Sequence, residues 1–140
     1  MEWRIEVKAR RKDSEAIQLR REIHDLGYAG LERLDITRVY LLRGALTRRD
    51  ADQVAKTTFA DRVVDTYLIR DASSAARHAK DELEVLYHPG VSDPSEASIK
   101  RAIRELGFAN VDVRSARRYR FIGDLTRRQI EAAAKAIKRT

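Results

Sequence analysis

The chain has no cysteine, two prolines, six glycines and one tryptophan in 140 residues. Lacking cysteine, it can form no disulfide, thiolate nucleophile or thiolate metal site, and an intracellular protein is the simplest reading. With so few breakers, most of the chain can be regular structure. No run of about 18 apolar residues could span a bilayer, and Met1-Glu2-Trp3-Arg4 opens a strand pattern, not a signal peptide; a cytoplasmic protein with no membrane partner is expected. His24, His78 and His88 are scattered and no two of them stand at i, i+4, so no metal site is expected. There is no Gly-rich phosphate loop, no G-x-S-x-G elbow and no carboxylate cluster that stands out from solvated helix faces. The expectation is a chain with no catalytic residue and no bound cofactor.

What is present is a 43% hydrophobic content, enough to build one compact domain or two small ones. The formal charge of +7 divides into +3 over residues 1–70 and +4 over 71–140. Acidic residues are interspersed throughout, as on an ordinary solvated surface, which argues against nucleic acid as the main partner.

The sequence also repeats itself. Ile23-His24-Asp25-Leu26-Gly27-Tyr28 aligns with Ile103-Arg104-Glu105-Leu106-Gly107-Phe108, and Leu46-Thr47-Arg48-Arg49 aligns with Leu125-Thr126-Arg127-Arg128 after a one-residue deletion. Two blocks in the same order predict an internal duplication: repeat one over 1–71, a small polar linker over 72–80 and repeat two over 81–140.

Trp3, Ile5 and Val7 alternate with Arg4, Glu6 and Lys8, the period of a strand with one buried face, and Leu83, Val85 and Tyr87 answer them. After Asp13-Ser14, the apolar positions Ala16, Leu19, Ile23 and Leu26 predict a helix stopped by Gly27. Ile99, Ala102, Ile103 and Leu106, opened by Asp93-Pro94 and stopped by Gly107, predict its counterpart. Extended regions over Leu34–Leu42 and Val111–Ile122 are long enough to bend, bulge or divide. Thr47 and Thr126 are expected to cap helices whose inner faces are Ala51, Val54, Ala55, Thr58, Phe59 and Ile130, Ala133, Ala134, Ile137. Val63–Ile69 then reads as a strand closing repeat one, whereas repeat two reaches Thr140 with its final strand missing. A longer polypeptide or a partner is expected to supply that strand, and self-association is the other outcome of an open edge. The fold class expected is α+β, two tandem units that are each a two-layer sheet with helices on one face.

Tyr87-His88-Pro89-Gly90-Val91-Ser92-Asp93-Pro94 is explained as a strand-to-helix connection with a Pro-Gly turn and an Asp cap. Arg114, Arg117, Arg118 and Arg120 set four guanidinium groups within seven residues. Such groups suit anionic oxygens, although charged strands also deter unwanted pairing. Together with His88 and Asp93, these arginines are the candidate interface or anion contacts.

Leu83 through Pro94, followed by a helix ending Ile103-Arg104-Glu105-Leu106-Gly107-Phe108, resembles the opening of the PurS family, which reads strand, Pro-Gly-Val, Asp-Pro, helix, Leu-Gly. Val113-Arg114-Ser115-Ala116-Arg117-Arg118-Tyr119 is similar to the family's Val-Arg-x-Gly-Lys region, with Ala116 and Arg117 in place of Gly and Lys. Repeat one lacks the Pro-Gly-Val-x-Asp-Pro wording at Arg10-Arg11-Lys12-Asp13-Ser14, so it enters through the duplication. The resemblance implies a non-catalytic component of phosphoribosylformylglycinamidine synthase in purine biosynthesis, with tandem units as at the N-terminus of fused or large synthetases. It implies a bridge between an ATP-dependent synthetase part and a glutaminase part; ATP, Mg and glutamine would be used by that complex and not held by this chain. A competing reading is a basic RNA-binding pair of ferredoxin-like domains, suggested by Arg118-Tyr119-Arg120-Phe121 on a strand. A ligand-sensing βαββαβ regulatory domain is a third.

Overall fold

The computed structural model describes residues 2–10, 13–60, 65–71, 81–86 and 96–138, and the expected linker 72–80 lies outside them. Strand β1 (Glu2–Ala9) is followed by α1 (Ser14–Asp25), β2 (Leu31–Arg43), α2 (Arg48–Val54) with a π-helical turn Ala55–Phe59, and β3 (Asp65–Asp71). The C-terminal segment gives β4 (Glu82–Leu86), α3 (Glu96–Glu105), β5 (Asp112–Gly123) and α4 (Arg127–Lys138). The described strands form one five-stranded sheet in the order β3-β1-β2-β5-β4, so the α+β class holds while the expected pair of separate sheets does not. The reason is the length of β2 and β5, 13 and 12 residues, each continuous where a division was one expectation.

β1 lies between β2 and β3 and is antiparallel to both, with Ile5 opposite Tyr40 on one side and Ile69 on the other. Trp3, Ile5 and Val7 are buried as their alternation predicts. Arg4 and Glu6, expected to face solvent, are 7% and 3% exposed. A central strand can bury both faces when its charges neutralise each other: Arg4 Nε donates to Glu6 Oε2 at 2.9 Å, and Arg70 Nε of β3 lies 3.4 Å from Glu6 Oε1.

The helix ends follow their sequence signals. Asp13 accepts from the Glu15 and Ala16 amides, and Thr47 and Asp50 form a reciprocal capping box. Thr126 and Gln129 repeat that box, with bonds of 2.9 and 3.2 Å. At the end of α1, Gly27 N donates to His24 O and Tyr28 N to Ile23 O; at the end of α3, Gly107 N donates to Arg104 O and Phe108 N to Ile103 O. Gly27 and Gly107 hold φ of +105° and +98°, the left-handed turn such a C-terminal motif requires. Leu26 departs from its expected inward position and is 60% exposed, because it stands at the cap, after the last turn that faces the core. Ala60 N donates to Ala55 O, closing the π-turn, and Phe59 stacks on Tyr40 at 4.0 Å between centroids.

Two compact units emerge, and neither coincides with a repeat. Among the described residues, the first unit holds β1, β2 from Thr37, α2 with its π-turn, β3, Leu86, α3 and β5 as far as Arg117. Its core joins Trp3, Ile5, Val7, Leu42 and Val54 to Ile103 of α3 and Val113 of β5. The second unit holds α1, β2 as far as Ile36, β4 up to Val85, β5 from Arg118 and α4. Its core joins Ile23 of α1, Leu31, Leu34 and Ile36 to Tyr119, Phe121, Ile130 and Ile137. Each core is therefore built from one segment's strand and second helix together with the other segment's first helix. The alternation of burial fails at Ile36-Thr37 in β2, where that strand passes from one unit to the other, and at Ser115-Ala116 in β5, shortly before its passage between Arg117 and Arg118.

Candidate functional site

The arginines of β5 fall into two groups. Arg114 is exposed and Arg117 half-buried, and both belong to the first unit. Arg118 and Arg120 belong to the second unit, and there they meet acids that the sequence had not marked as their partners. Arg118 Nε lies 3.7 Å from Glu82 Oε2, and Arg120 Nε lies 3.2 Å from Asp81 Oδ2. Phe121 N donates to Asp81 O at 2.8 Å, so Asp81 is anchored through its backbone as well. Arg127 of α4 donates to Glu82 O at 2.9 Å. The β4 end of the second unit is thus a mixed-charge surface in which guanidinium groups are matched by carboxylates, an arrangement that suits a complementary polar partner better than a free anion. His88 and Asp93 lie outside the described residues, as does the Pro89-Gly90 turn.

Tyr119 and Phe121 are 3% and 2% exposed and belong to the core of the second unit. Their ring faces are covered, so they offer no platform on which bases could stack.

The first unit carries a recess that the sequence did not single out. Arg48, Arg49, Asp52, Tyr67, Leu68 and Ile69 line an open cavity of about 630 Å³ between α2 and β3. Tyr67 Oη donates to Asp52 Oδ1 at 2.7 Å and Lys56 Nζ stands 2.9 Å from Oδ2. The Tyr67 hydroxyl, then Lys56, hold the Asp52 carboxyl below its ordinary value of 3.8. An ionised carboxylate that already accepts from two donors is a fixture of the wall and has no proton to give at neutral pH. Arg48 Nη2 donates to Ile69 O at 3.4 Å, tying the start of α2 to β3. The i, i+4 spacing of Asp52 and Lys56 was readable, but Tyr67 joins them only through the β1–β3 register.

Among the described residues no group of three or more His, Asp or Glu is placed to hold a metal ion, and no helix is long and apolar enough to cross a membrane. Comparison with known protein families, with curated proteins and with solved structures gives no match to this chain.

Proposed function

We propose that this chain is a PurS-like, non-catalytic component of phosphoribosylformylglycinamidine synthase, bridging the ATP-dependent synthetase and glutaminase parts of that complex. The observation that carries this reading is the exchange of first helices: α3 serves the core built on β1, and α1 serves the core built on β5 and α4. One chain carrying two intertwined copies of a small unit is what a tandem PurS-like protein would need in order to replace a dimer of separate subunits. The matching hydrogen bonds at Gly27 and Gly107 and the paired capping boxes at Thr47 and Thr126 support the same duplication. Under this reading Arg114 and Arg117 are contact residues, because they are the arginines of β5 around which the resemblance to the family's Val-Arg-x-Gly-Lys region is read.

The test is rescue of growth without purines in a bacterium lacking its PurS subunit, together with co-purification of the chain with the synthetase and glutaminase. Rescue is expected from the unmodified chain and is expected to weaken in the Arg114→Ala/Arg117→Ala variant while the thermal midpoint stays unchanged. The purified chain alone should turn over neither glutamine nor formylglycinamide ribonucleotide. Failure both to rescue growth and to bind either part would overturn the assignment.

A further inference from the structure

We infer that the recess between α2 and β3 is a binding site for a small organic anion, a phosphate or carboxylate group carried on a flat apolar body. Arg48 and Arg49, the first two residues of α2, supply the charge, and Tyr67, Leu68 and Ile69 of β3 supply the wall. All of these residues belong to the first unit. The two guanidinium groups are not neutralised there. Arg48 Nη2 gives one hydrogen bond, at 3.4 Å, to the Ile69 carbonyl, and Arg49 makes no hydrogen bond or ion pair among the described residues. The neighbouring carboxylates are engaged elsewhere: Asp50 accepts from Thr47 N at 3.0 Å within the helix cap, and Asp52 is held by Tyr67 and Lys56. With Lys56 set against Asp52, the arginines are left in excess, and their forked N–H groups match the oxygens of a phosphate or carboxylate.

The bond from Arg48 to Ile69 O positions one of the two guanidinium groups against β3, so less of its rotamer freedom is lost when an anion binds. Size and wall chemistry give the rest of the ligand. The recess, about 630 Å³, falls within the roughly 300–1,000 Å³ of small-molecule sites and is several times larger than a bare oxyanion needs. Leu68 is 47% exposed, and the Tyr67 hydroxyl is committed to Asp52, which leaves an apolar side chain and an aromatic ring as wall. An anion with a flat apolar body satisfies the arginines and covers that wall together; a free inorganic ion does only the first. The site stands on the geometry of the first unit and is independent of the purine reading.

The experiment titrates the full, isotope-labelled chain with phenyl phosphate and with benzoate at physiological salt and follows its amide resonances by NMR. Both are expected to shift Arg48, Arg49 and Leu68 saturably, and the tighter of the two assigns the anionic group. Inorganic phosphate should bind about tenfold more weakly than phenyl phosphate, for want of a body to lay on the wall. Phenol, which lacks the charge, should leave these resonances unmoved. Arg49→Gln is expected to weaken phenyl phosphate about fivefold, with the thermal midpoint unchanged because that side chain has no partner to lose. Leu68→Ser should bring phenyl phosphate down to the level of inorganic phosphate. No saturable shift, or binding indifferent to Arg49→Gln, would overturn the site. So would inorganic phosphate binding as tightly as phenyl phosphate, or shifts spread equally over the arginines of β5, either of which means general attraction to a basic surface.

Discussion

At the scale of single residues, the polar groups that matter most are those the alternation pattern assigns to solvent. Glu6 is nearly inaccessible between Arg4 and Arg70, and Asp52 is held by Tyr67 and Lys56 on the rim of the α2–β3 recess. Because the carboxyl of Asp52 is depressed in the folded chain, its contribution to stability is fully present above the ordinary value of 3.8 and is lost as pH falls through the folded value. Tyr67→Phe removes the larger cause of the shift. An NMR titration should show the Asp52 carboxyl moving up toward 3.8 in that variant. The thermal midpoint should fall slightly at pH 7, with the gap from the unmodified chain closing in acid below 3.8. The effect is small because Asp52 is 38% exposed and water screens the pair. An unchanged titration would mean that the hydroxyl does not hold the carboxylate. Neither arrangement was legible from sequence: Arg4 and Glu6 read as a solvated face until β1 is known to be central, and Tyr67 meets Asp52 only once β3 is paired with β1.

Among the elements, the N-terminal turns of α1, α2 and α4, the glycine stops after α1 and α3 and the buried apolar face of β1 were all readable, because each depends on residues within one turn or one strand. The destination of α1 was not readable. Its inner face is apolar in either arrangement, and nothing in Ala16, Leu19 and Ile23 says which strand they will cover. In the structure, Ile23 packs in the cluster of Tyr119, Phe121 and Ile130, while Ile103 packs with Trp3, Ile5 and Val54. Ile23→Ala should therefore cost about 2–5 kcal/mol and raise amide exchange first in the second half of β5 and in α4. Ile103→Ala should do the same in β1 and α2. Hydrogen exchange read by mass spectrometry separates this from units folded within each repeat, where Ile23→Ala would loosen β1.

For the molecule as a whole, the exchange makes the two segments inseparable. Residues 1–71 lack Ile103 and Val113 for the first core, and residues 81–140 lack Ile23, Leu31, Leu34 and Ile36 for the second. Expressed apart, each half should show little cooperative unfolding by circular dichroism; mixed at equal concentration, the halves should regain a single sharp transition. Two halves that each melt cooperatively alone would contradict the interlocked cores. The same connectivity also has a bearing on the order of synthesis. At roughly 5–20 residues per second, α1 leaves the ribosome several seconds before α4 is made, so the apolar side of the first helix has only Leu31, Leu34 and Ile36 of its core to meet until then. Native packing of that helix can be completed only after α4 has been made, so residues 1–71 must escape aggregation until the segment reaching Ile137 has emerged.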